Sequence, residues 1–241
     1  MTVTTNYKKN KLRNLTTFGN TKLPKTTAIF NMGPATDCPS ASLGLCELRK
    51  NCKLKSGCKD VCYALKAEKM YKACKPYRTR QQQYWLNVTA ETFATEFIQI
   101  YERKKIKPTL LRFNESGDFF TQNCVDKVYK IARLIYEAVG VRTYLYTHRR
   151  DLVFYAVHTD IGKKPYLNIL GSGANFPNLS KLYIAVPADR FERLKQDSKH
   201  HNYKVSGTGE LWNHHYFCPG DCKKCNLCSS IRHGKIYTEL H

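Results

Sequence analysis

The stretch from Thr109 to Thr147, TLLRFNESGDFFTQNCVDKVYKIARLIYEAVGVRTYLYT, decides the fold class. It opens, just after Pro108, with a short apolar run to Phe113 that reads as a strand. Val125, Val128, Ala132, Ile135 and Val139 then recur at helical spacing, and Gly140 stands where a left-handed C-cap belongs. Val141–Thr147, rich in β-branched and aromatic residues, reads as a second strand. Strand, helix and strand in direct succession form the unit of a parallel sheet with crossover helices.

The same alternation continues on both sides. Thr26–Asn31, Tyr166–Leu170 and Lys181–Val186 read as further strands, and Tyr203–Ser206 as a weak sixth. Ala64–Ala73 is a run of helix formers, and Pro76 suggests a restart toward Trp85. From Ala90, the residues Phe93, Phe97, Ile100 and Tyr101 share one helical face. Glu91 lies in the first turn of that segment, and Arg103, Lys104 and Lys105 lie in the last, which suits the helix dipole. The expectation is one α/β domain over residues 1–241, a partial, open parallel barrel of five to six βα units. A basic N-terminal extension (1–25), a Cys-rich loop (38–62) and a Cys-rich C-terminal segment (214–241), the last two metal-binding, complete it.

The chain has 241 residues, 42% of them hydrophobic, enough for a core that needs no metal staple. Its N-terminus, MTVTTNYKKNKLRNL, lacks the apolar region of a secretory signal, and no run of eighteen apolar residues appears. The expectation is therefore a protein that is not secreted and does not engage a membrane. Forty Lys and Arg against nineteen Asp and Glu give a formal charge of +21. The surplus is uneven: residues 1–36 carry six basic and no acidic residues, and Glu47–Arg80 carries eleven basic against three acidic. Such a field attracts polyanions, of which nucleic acid is the commonest. Metal-bound thiolates would offset part of it, a four-thiolate site carrying about −2.

Eleven cysteines in a chain expected to meet a reducing compartment point to metal or catalysis rather than to disulfides. Nine fall in two groups, Cys38, Cys46, Cys52, Cys58 and Cys62 upstream, and Cys218, Cys222, Cys225 and Cys228 downstream. The downstream run, CPGDCKKCNLC, is denser than the two separated pairs of a structural zinc site and closer to ferredoxin ligation. An iron–sulfur centre, of the 4Fe-4S kind and one or two in number, is the expected cofactor, with zinc as the alternative. Cys74 and Cys124, alone in helical segments, read as small buried hydrophobes.

In parallel α/β sheets, ligands bind beyond the carboxyl ends of the strands, and the chemically distinctive residues follow predicted strands. Asn114–Asp118 follows the strand at 109–113, and Glu115 and Asp118 there are candidates for a general acid/base pair, or simply part of a turn. His148, Arg149 and Arg150 follow the strand at 141–147 and are candidates for phosphate binding, or for a solvated loop. Gly171-Ser-Gly173 is more simply a turn than an anion cradle. Arg78 and Arg80, interleaved with Tyr77, Tyr84 and Trp85, resemble a single-strand binding surface, although a half-buried helix face accounts for the aromatics as well.

The segments CPSASLGLC…CYALKAEKMY, RFNESGDFF, YTHRRDL and the terminal thiol run resemble, over Cys38–Cys228, an uncharacterised phage protein family named after a mycobacteriophage gene product, number eighty-eight. That resemblance implies a phage origin and the cytoplasm of an infected host, without a reaction. It places Cys38, Cys46 and Cys62 in shared motifs and Cys52 and Cys58 in an insertion. More distantly, the chain is similar to radical S-adenosylmethionine enzymes, which imply a partial barrel, a cluster and that cofactor. Their C-x3-C-x2-C loop is matched by Cys58 and Cys62, but Leu65 stands at the third position, and their glycine-rich motif after the second strand is replaced by Asn114–Asp118. Two readings follow: a cluster-dependent enzyme acting on nucleic acid or nucleotides, and a non-catalytic nucleic-acid-binding protein stabilised by a cluster or zinc.

Overall fold

The structure, a computed structural model, describes residues 12–46, 62–155, 166–173, 176, 179, 181–200, 215–223, 225, 227–230 and 234–239. Cys52, Cys58 and the strand expected at Tyr203–Ser206 lie outside the described residues.

One open sheet organises the chain. Its strands are β1 (Thr17–Phe18), β2 (Thr27–Phe30), β3 (Leu110–Phe113), β4 (Arg142–Thr147), β5 (Leu167–Ser172), β6 (Lys181–Val186), β7 (His215–Phe217) and β8 (Gly234–Glu239). They lie in the order β1-β2-β3-β4-β5-β6-β8-β7. Only β1 pairs antiparallel, with β2, and every other neighbour is parallel. From β2 to β6 each strand thus lies beside the previous one, β8 then enters between β6 and β7, and among the described residues the two edges do not meet.

The helices are α1 (Pro39–Ser42), α2 (Tyr63–Met70), α3 (Cys74–Asn87), α4 (Ala90–Arg103), α5 (Gln122–Val139), α6 (Ala188–His200) and α7 (Leu227–Ser230). Helix α5 buries Val125, Val128, Ala132 and Ile135, the stripe read from sequence, and ends on Gly140 at φ 70°. Only Gly adopts that left-handed conformation without a steric cost. Helix α4 starts at Thr89, whose hydroxyl accepts from the Thr92 amide.

Strand alternation sorts the sheet into two unlike faces. Ala28, Phe30, Leu111, Phe113, Leu145, Leu167 and Ile169 point toward α3, α4 and α5 and form the main core with Trp85, Phe93 and Phe97. The rings of Phe30 and Phe93 meet edge to face, centroids 5.1 Å apart, the arrangement that aromatic quadrupoles favour. The residues between them, Thr27, Leu110, Arg112, Arg142, Tyr144, Tyr146 and Asn168, belong to the opposite face. That second face is covered by the C-terminal segment, whose helix α7 packs on β4 and β5.

The strands β2 to β6 and helices α2 to α5 match the elements read from sequence to within a few residues at their ends. Three expectations change. Residues 12–25, expected as part of an extension, are built into the fold: Leu12 and Leu15 are buried in the main core, and the Leu12 amide donates to Glu96. The segment 214–241 is not only a thiol run, because β8 inserts between β6 and β7. Among the described residues the parallel strands also number seven, β2 to β8, against the five to six units expected.

Candidate functional site

The carboxyl ends of β2, β3 and β4 are tied together by one side chain. Asp118 is 2% exposed. Its Oδ2 accepts from Ser40 Oγ at 2.6 Å and from the His148 amide at 2.8 Å. Its Oδ1 accepts from Thr147 Oγ1 at 2.7 Å and from the Phe119 amide at 2.8 Å. Four donors from three chain segments saturate both oxygens, so Asp118 positions the loops around it. The N-cap of α5 is Thr121, so Asp118 does not cap that helix.

The loop carrying Asp118 is pressed against the loop after β2. Asn114 holds φ 61°, rare outside Gly, and its Oδ1 accepts from the Met32 amide. The Ser116 amide donates to Asn31 Oδ1. Gly117 has φ 77°, and a Cβ there would stand 2.8 Å from the Gly33 amide nitrogen. Beside this junction, Cys46 Sγ lies 4.0 Å from His148 Nε2. Burial first, then the charges of Asp118 and Cys46, push the Cys38 thiol up to about 12.

Several residues singled out from sequence turn out to have internal partners. Arg78 is buried and donates to Glu68 Oε1 at 2.8 Å and to the Ala64 carbonyl, so its charge serves α2–α3 packing rather than a surface polyanion. Arg149, 4% exposed, pairs in bidentate fashion with Asp151 and donates to the carbonyls of Phe119 and Phe120. Tyr84 and Trp85 belong to the core. Arg80 is exposed and lies over the Tyr77 ring at 5.7 Å. His148 and Arg150 are partly exposed. Gly171 is required by packing, since a Cβ would meet the Phe176 ring at 2.5 Å. Cys124 is a small buried core residue, Cys74 begins α3, and Leu65 lies within α2.

The downstream thiols do not join that carboxyl-end junction. They lie across the second face of the sheet, where Cys218, Cys222, Cys225 and Cys228 all line one cavity of about 360 Å³. Its far wall is formed by the first residues of three strands, Thr27 of β2, Leu110 of β3 and Arg142 of β4, with Tyr144 and Tyr146 beside them. The segment is pinned by Asn168, whose Nδ2 donates to the Cys228 carbonyl at 2.7 Å while its Oδ1 accepts from Lys181 Nζ. Tyr146 hydrogen-bonds the Cys228 thiol, and Tyr183 hydrogen-bonds Cys218.

Cations missed in the sequence reading stand on this face. Arg112 pairs with Glu115 at 3.1 Å and lies over the rings of Tyr144 and Tyr146, at 5.9 and 5.3 Å. Its Nε is buried with no partner among the described residues. Burial raises the Cys222 thiol, with Arg112 pulling the other way, and burial pushes Cys228 up to about 12. The signal was available: Arg112 alternates with Leu111 and Phe113 in a strand, which places a charge on the face opposite the core. Among the described residues, no group of three or more His, Cys, Asp or Glu side chains is arranged to hold a single metal ion.

Among the described residues no helix is long and apolar enough to cross a membrane. The family model described as Gene product 88 matches residues 3–231. No curated protein and no solved structure shows significant similarity to the chain.

Proposed function

The chain belongs to that family, the phage gene-product family its motifs resemble, and we propose that it is an iron–sulfur protein that binds nucleic acid. In this reading the open sheet is a partial-barrel wall, and Cys218, Cys222, Cys225 and Cys228 hold a 4Fe-4S cluster between that wall and the C-terminal segment. The observation that carries it is that these four thiols, ten residues apart in sequence from first to last, line one cavity.

The donor set fits the group. Four thiols are the ligands a cluster selects, and a cubane spreads its thiolates over four corners, further apart than the roughly 3.8 Å implied by tetrahedral Zn–S bonds of about 2.3 Å. The guanidinium of Arg112, close enough to Cys222 and Cys228 to act on both thiols, supplies positive charge for deprotonated sulfur. When bound, the cluster supplies electron transfer, or a coordination position if one iron lacks a protein thiolate. The upstream Cys38, Cys46 and Cys62 are reserved for a second centre or for structure. Nucleic acid would dock on the basic flank of α2 and α3, where exposed Lys69, Met70, Tyr71, Lys72, Lys75 and Arg80 interleave cations with apolar and aromatic surface.

Anaerobic purification followed by iron, sulfide and zinc analysis tests the reading. Brown protein containing iron and sulfide, with content lowered in Cys222→Ser and Cys225→Ser, is expected. Colourless protein with stoichiometric zinc and no sulfide, after expression with ample iron, overturns it.

A further inference from the structure

The wall of the cavity opposite the thiols carries polar groups that have no partner among the described residues. Thr27, Leu110 and Arg142 stand in register on three adjacent parallel strands, at the same height on the second face. Thr27 is fully buried, and its Oγ1 has no hydrogen-bond partner among the described residues. Arg142 Nη1 is likewise buried with no partner among the described residues. Both residues line the cavity. Strands lie about 4.8 Å apart, so the two backbones stand roughly 10 Å apart, within reach of an arginine side chain and one small ligand between them. A buried donor left unpaired costs free energy that the fold does not recover from within, whereas a bound acceptor recovers it. Thr26 and Thr109 also border the cavity, and Lys223 adds a cation at the thiol side. Asp221, which also lines the cavity, turns its Oδ1 to the Lys223 amide.

We propose that this wall is an oxyanion site: Arg142 and Thr27 hold the phosphate group of a small phosphorylated ligand, placing it in the same cavity as the four thiols. An anion fits because the unsatisfied guanidinium atom can only donate. A phosphate fits because its oxygens can accept from the guanidinium and the hydroxyl together, the planar fork of Arg being suited to that geometry. The site does not depend on whether the thiols carry a cluster. It is also separate from the basic flank of α2 and α3, since Arg142 opens β4, on another element of the fold.

Calorimetric titration with inorganic phosphate, at ionic strength held constant with chloride, tests the proposal on the full chain. Arg142→Gln should weaken phosphate binding by roughly ten- to hundredfold, and Thr27→Val by roughly fivefold, as expected for a charge-assisted and a neutral hydrogen bond. Arg133→Gln, on the exposed face of α5, should leave it unchanged. Iron and sulfide contents measured in parallel separate this site from the thiol site: unchanged contents with weakened phosphate binding support it. Loss of iron in Arg142→Gln with phosphate affinity intact assigns Arg142 to the thiols and overturns it. Absence of phosphate binding by the wild-type chain at tens of millimolar, or equal binding by both variants, also overturns it. Competition by a nucleoside monophosphate is expected. Competition by an oligonucleotide lacking terminal phosphate, but not by the mononucleotide, would assign the phosphate to a nucleic-acid backbone and overturn the small-ligand source.

Discussion

Asp118→Asn replaces one acceptor oxygen by an amide while keeping shape and volume. Each oxygen of Asp118 accepts from one backbone amide, Phe119 at Oδ1 and His148 at Oδ2, and from one hydroxyl. A hydroxyl can rotate and become an acceptor; a backbone N–H cannot. Whichever way the new amide is turned, its NH2 therefore faces one buried backbone donor. An unsatisfied buried donor costs about 1–3 kcal/mol, and the surviving bonds fall from charge-assisted to neutral, for a total of about 2–4 kcal/mol. Asp118→Ala leaves both backbone donors unpaired and should cost more. Urea unfolding followed by circular dichroism, with the m-value checked for constancy, measures the loss as a shift of midpoint. A stability change below about 0.5 kcal/mol in Asp118→Asn would refute the hub reading. Loss of nucleic-acid binding at wild-type stability would instead make Asp118 a group that orients the ligand, as the sequence alone allowed.

The remaining predictions concern charge, packing and pH. Arg78→Gln should cost about 3–5 kcal/mol by leaving the Glu68 carboxylate buried without its cation, with only the Ala35 amide and the Ser116 hydroxyl still donating to it, and should not alter the salt dependence of nucleic-acid binding; midpoint shifts and salt titrations check both. Arg80→Gln should leave stability unchanged and reduce the log–log salt slope for single-stranded nucleic acid by about 0.7. Gly117→Ala should destabilise by about 3 kcal/mol or more, measured by thermal unfolding, because its left-handed backbone and the Gly33 backbone 2.8 Å from the added carbon both oppose a side chain. Burial lowers Lys181 from the usual lysine range to about 8. Between pH 8 and 10.5 the unfolded chain then binds more protons than the folded one, and stability rises with pH through that window. Thiols and tyrosines titrate there too, so the measurement is the wild-type minus Lys181→Met difference in unfolding free energy, which should rise by about 1–2 kcal/mol.

Much of the fold was legible in the sequence because its signals are short-ranged. The 3.6-residue stripe of α5, the Gly140 cap and the alternating strands on either side each involve neighbours within a few residues, and together they demand a parallel sheet. The spacing of Cys218 to Cys228 is local in the same way, and it is what brings four thiols to one cavity. What tertiary structure decided depends on contacts between distant segments. Ser40 meets Asp118 across 78 positions, and that meeting turns a candidate acid/base residue into a saturated link. Arg78 and Arg149 look identical in sequence to solvated cations; only the carboxylates and carbonyls folded against them show that their charge is directed inward. The side of the sheet on which the thiols lie was equally hidden. It follows from β8 entering between β6 and β7, which draws the segment before it across the face bearing Arg112 and Arg142 rather than onto the carboxyl ends. A strand's periodicity specifies which residues share a face, but the element that covers that face is set by chain topology and by the burial it achieves.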